Sequence, residues 1–169
     1  MTGNTVEFDV SVEQADGRVA VVARDGASES RAAITRSTNA DVQRYIPIGT
    51  RDATHLTMLV DEKPVDLAPG RGRYTRGSFK VVATYQGVRY LLAPASPVSS
   101  RLHRDGVRLG ELSRLDSGEI RVWWNRDASV SPVDAAIGYA LAAAFGTGAK
   151  FFLAALFDSP DHGMPAVPS

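Results

Sequence analysis

Ser131-Pro132-Val133-Asp134 opens the stretch that decides the fold. Ser131 reads as an N-cap whose hydroxyl accepts from otherwise unpaired N–H groups of the first turn. Pro132 at the first helical position has a preset φ, and the donor it lacks would have no partner there anyway. Asp134 faces the positive end of the helix dipole. Residues 135–157, AAIGYALAAAFGTGAKFFLAALF, carry one charge, and Asp158-Ser159-Pro160 closes the run. A helix over residues 132–157 would be about 38 Å long. Its apolar residues fall on every face, so it belongs either in a protein core or in a membrane.

Three details bear on that choice. Lys150 is costly near a bilayer centre unless it snorkels. Gly146-Thr147-Gly148 predicts a bend or break. Small residues crowd the first half, which suits a narrow protein-lined channel and also occurs in packed transmembrane helices. The reading favours a helix buried in the chain's own domain, with Ile137, Leu141, Phe145, Phe152 and Leu156 in the core. The alternative is a tail anchor held by residues 133–157, giving a membrane-associated accessory protein.

Upstream, the chain reads as short strands. Phe8 to Glu13 alternates apolar and polar side chains, and Asp16-Gly17 follows as a hairpin turn. The pattern recurs at residues 19–23, 31–35, 55–60 and 63–67, with Asp25-Gly26 as a further turn. Pro47 limits Tyr45-Ile46-Pro47-Ile48 to an edge or a bulge. Residues 68–72, APGRG, form a loop, after which strands resume at 79–85, 88–92, 101–104, 107–112 and 120–124. Gln86-Gly87, Asp105-Gly106 and Ser117-Gly118 supply the turns. About ten strands at this spacing argue for a barrel or sandwich. The expected fold is mainly β with one long C-terminal helix, a closed or nearly closed antiparallel barrel around that helix. Residues 1–159 form one domain, and residues 160–169 form a flexible tail.

Composition narrows the function. The chain has 169 residues and no cysteine, which excludes thiolate catalysis, iron–sulfur clusters and cysteine zinc sites. Nineteen basic residues balance nineteen acidic ones, so no nucleic-acid partner is expected. The balance hides a pattern. Residues 1–67 are net −4, residues 68–114 net +7, and residues 115–169 net −3. The basic middle contributes Arg71, Arg73, Arg76, Lys80, Arg101, Arg104 and Arg108 as candidate ligand-binding side chains. Guanidinium groups suit phosphate or carboxylate. The bland reading pairs these cations with the acidic segments in space.

A β-rich chain ending in an apolar helix resembles the tubby-like fold, which includes tubby domains, phospholipid scramblases and LURP-one-related proteins. Residues 104–112, RDGVRLGEL, are similar to a recurring hairpin of that superfamily. The run from Val133 through Phe157 to Ser159 resembles the scramblase terminal helix. The resemblance covers residues 76–159. It implies a closed barrel of about twelve strands around the helix, and basic side chains on the barrel surface that bind phosphoinositides. The palmitoylated cysteines and acidic calcium segment of scramblases have no counterpart here.

Catalytic patterns are weak. His55, His103 and His162 lack metal-ligand spacing, and no cofactor or metal is expected. His103 with Asp105 and Ser99 or Ser100 lacks a nucleophile elbow. Asp61, Glu62 and Asp66 read as a solvated loop. Trp123-Trp124 lies on a strand, so one ring faces the core and the other is available to a partner. The expected function is a non-enzymatic binding module for anionic lipid headgroups or an acidic protein, in the cytoplasm and in contact with membranes. A small barrel enzyme acting on an apolar ligand ranks last, because a helix plugging the barrel leaves little room for substrate. The oligomeric state is left open.

Overall fold

Among the described residues, ten strands run in order, each antiparallel to the next: β1 (Asp9–Ala15), β2 (Arg18–Arg24), β3 (Glu29–Arg36), β4 (Leu56–Val60), β5 (Lys63–Pro69), β6 (Val81–Tyr85), β7 (Val88–Pro94), β8 (Ser99–Arg104), β9 (Val107–Arg114) and β10 (Ile120–Trp124). The computed structural model describes residues 7–72 and 76–149, excluding the Arg76 side chain. The sheet curls into a half-barrel around one helix, α1 (Pro132–Phe145). Alternation sets which side chains enter. Val19, Val21 and Ala23 of β2, Ala32 and Ile34 of β3, and Val81 and Ala83 of β6 are all buried. The intervening residues face outward.

Turn chemistry fixes the registers. Gln86-Gly87 and Asp105-Gly106 place both turn residues at positive φ, the geometry that matches strand twist in two-residue hairpins. Asp61-Glu62 does the same between β4 and β5 without a glycine, at φ 48° and 68°. Asp61, Glu62 and Asp66 are all exposed, as the solvated-loop reading expects, and the first two form a tight two-residue turn. Asp61 accepts from Ser30 Oγ at 2.8 Å and from the Arg31 N–H at 2.9 Å, contacts that hold the turn against β3.

The start of α1 follows the sequence reading. Ser131 Oγ accepts from Asp134 N, while an Asp134 carboxylate oxygen accepts from Ser131 N at 2.8 Å. Ile137 and Leu141 are fully buried and Phe145 nearly so. The helix is not continuous to residue 157. It ends at Phe145, where Gly146 takes φ +78°. Residues 146–149 cross instead to β8 and β9. Thr147 Oγ1 accepts from Arg114 N at 2.7 Å and donates to the Val98 carbonyl at 2.8 Å, and Gly148 N donates to Ser100 Oγ at 2.9 Å. Phe152, Leu156 and the tail at 160–169 lie outside the described residues. Among the described residues, no helix is long and apolar enough to cross a membrane.

Two other expectations change. Tyr45-Ile46-Pro47-Ile48 is a turn-rich loop and not a strand; Ile46 and Ile48 are buried, and Ile48 N donates to the Ala144 carbonyl at 2.8 Å. The loop thereby satisfies a carbonyl of the helix's last turn. The strand expected at 79–85 starts at Val81, after a 3-10 turn at Arg76–Phe79.

Candidate functional site

The outer face of β6–β10 gathers part of the basic segment. Cross-strand neighbours place Ala93 beside Arg101, Arg101 beside Glu111, and Glu111 beside Trp123. Lys80 stands at the start of this row, one residue before the inward Val81, whose partner is Leu92. Strands lie about 4.8 Å apart, so Lys80 and Arg101 flank Ala93 with backbones roughly 10 Å apart. Lys80 and Arg101 are exposed, and Trp123 is 62% exposed at the row's far end.

A register shift between Leu102 and His103 brings Arg108 opposite His103 and onto the same face. Glu111 then serves two cations: Arg108 at 3.3 Å and Arg101 at 4.0 Å. Ser99 Oγ also donates to it at 2.6 Å. One carboxylate therefore faces two guanidinium groups. Burial pushes the His103 imidazole below its ordinary value, and Arg108 and Arg101 push it further, so it is neutral at neutral pH.

The remaining candidates separate. Arg104 points to the concave side. It donates to the Ser129 carbonyl at 3.1 Å and to Asp134 at 2.5 Å, so it is committed to the helix start. Arg71 is exposed on the loop after β5. Arg73 and the Arg76 side chain lie outside the described residues.

Arg51 carried no signal in the sequence, yet it positions the loop that bears Arg71. Its guanidinium donates to the carbonyls of Gly70 at 3.1 Å and Phe79 at 3.2 Å. It also lies 5.4 Å from the centre of the Phe79 ring and 5.6 Å from that of Phe145. Burial pulls its pKa down to about 10, still far above neutral pH.

Among the described residues, no cluster of His, Asp or Glu is arranged to hold a metal ion. No protein-family model, no curated protein and no solved structure matches this chain.

Proposed function

We propose that the chain is a non-enzymatic, tubby-like binding module that recognises anionic lipid headgroups through the outer face of β6–β10. The observation that carries this reading is the row Lys80, Ala93, Arg101, Glu111, Trp123, with Arg108 sharing the Glu111 carboxylate. Two arginines on one carboxylate leave a positive charge uncompensated, and Lys80 adds another. An exposed indole beside them has an apolar body and a polar N–H, which suits a headgroup boundary. A basic face near an anionic leaflet gains about 1 kcal/mol per Lys or Arg.

Vesicle co-sedimentation tests this. The wild type binds vesicles containing phosphatidylserine or phosphoinositide, ignores purely zwitterionic vesicles, and releases in high salt. A Lys80→Ala/Arg101→Ala variant binds several-fold more weakly, and Trp123→Ala weakens binding without changing the salt dependence. Undiminished binding by the double variant sinks this face as the site. If an Arg71/Arg73/Arg76→Ala variant alone loses binding, recognition moves to the loop after β5.

A further inference from the structure

The two ends of the sheet, β1 and β10, face one another across a groove of about 450 Å³. Side chains bridge it at each end. Gln14 Nε2 donates to the Gly118 carbonyl at 3.0 Å, and the Phe8 ring meets Trp124 edge-on at 5.8 Å between centroids. Among the described residues, each strand is paired on one side, β1 with β2 and β10 with β9, which leaves a row of backbone N–H and C=O groups on each toward the groove.

The inward side chains Val10, Val12 and Ile120 line the groove and Tyr139 of α1 floors it. They are only half-buried, whereas the inward residues of β2 are 3%, 1% and 0% exposed. Among the described residues the core is therefore incomplete along this seam, and one more strand would cover it.

Charge on the rim indicates what kind of strand. Glu7, Asp9 and Glu13 follow the exposed side of β1. Arg24 reaches Asp9 at 3.8 Å but is closer to Glu29, at 3.3 Å. On the β10 side, Arg121 lies 3.6 Å from Glu119 and adds little net charge. A second copy pairing antiparallel through β1 would set this acidic row against itself, and like charges directly opposite are unfavourable.

We propose that the seam between β1 and β10 is a strand-addition site for an extended segment of a partner protein that alternates apolar residues, facing Tyr139, with basic residues, facing the rim. Main-chain hydrogen bonds to the two strand edges supply affinity, and the alternation supplies specificity. The site shares β10 with the face assigned to lipid but uses the edge and inward side of that strand and not its outer face, and the two are tested with different variants.

Calorimetry with the full chain tests the proposal, using three synthetic peptides: alternating Lys and Val, alternating Glu and Val, and the Lys/Val peptide with N-methylated backbone. The Lys/Val peptide binds about tenfold or more tightly than either other peptide. A Glu7→Lys/Glu13→Lys variant, altered only at exposed positions, reverses the preference between the Lys and Glu peptides. Hydrogen exchange at the β1 amides slows only when peptide is added. Equal binding of the N-methylated peptide, or no binding of any, overturns strand addition. So does dimerisation that blocks the peptide, which gives the seam to a second copy. β1 amides already fully protected without peptide would give it to another segment of this chain.

Discussion

The Tyr90 hydroxyl donates to Asp134 Oδ1 at 2.6 Å and so ties β7 to the first turn of α1. The other carboxylate oxygen accepts from Arg104 at 2.5 Å and from Ser131 N at 2.8 Å. Asp134 is 1% exposed, so both oxygens exchange water for protein donors. One side chain thus caps the helix, neutralises a cation that shares its site, and sets where the helix enters the half-barrel.

Removing that acceptor leaves three donors without it. Asp134→Ala should cost about 3–5 kcal/mol, the range for breaking a buried ion pair from one side. Tyr90→Phe removes one of several bonds and should cost about 1 kcal/mol. Urea unfolding of the two variants checks the ordering. An Asp134→Ala loss no larger than that of Tyr90→Phe would contradict the network.

Alkaline stability follows from the tyrosines. Burial raises the phenols of Tyr85, Tyr90 and Tyr139 above their ordinary value, and in Tyr90 the hydrogen bond to Asp134 adds to it. Below the unfolded value, near pH 10, both states hold the protons and nothing is lost. Above it the unfolded chain releases protons that the folded chain retains, so stability falls as pH rises. Unfolding midpoints measured from about pH 8 to pH 11 should decline at the alkaline end. Tyr90→Phe should decline less steeply; an identical slope would remove Tyr90 from the cause.

The strands were legible because alternation and turn residues are local signals. Positions 101 and 104 show how far that extends. Arg104 shares parity with the buried Leu102, so alternation alone assigns it to the concave side. Arg108 breaks the rule, because the register shift after Leu102 turns it onto the face of Arg101. The seam was not legible, since it depends on how far ten strands curl. Arg51 was equally silent: its partners at Gly70 and Phe79 come from a distant loop.

The hairpin at Asp61-Glu62 offers a gain. Glu62 holds φ 68° with a side chain that disfavours it, and glycine adopts this region without the steric cost. Asp61 must stay, because it accepts from Ser30 and Arg31. Glu62→Gly should therefore stabilise by about 0.5–1 kcal/mol. Thermal melts would show a higher Tm; a lower one would mean that the glutamate makes a contact worth more than the strain.

Two glycines near α1 should respond oppositely to alanine. At Gly138 a new Cβ would stand 2.8 Å from Leu102 Cδ2, the far end of a flexible side chain. Alanine also raises helix propensity by about 1 kcal/mol, so Gly138→Ala should be tolerated within roughly that amount. Gly148 differs on both counts. Its φ is +72°, and a Cβ there would run into the backbone of Pro97 and Val98, which cannot swing aside. The same residue donates to Ser100 Oγ, next to the Thr147 bonds that hold the crossing onto β8 and β9. Gly148→Ala should cost at least about 2 kcal/mol through strain and loss of these bonds. Denaturant unfolding of both variants compares them directly. If Gly148→Ala proves as stable as Gly138→Ala, the chain after Phe145 does not cross the way these bonds place it, and the helix end would have to be redrawn.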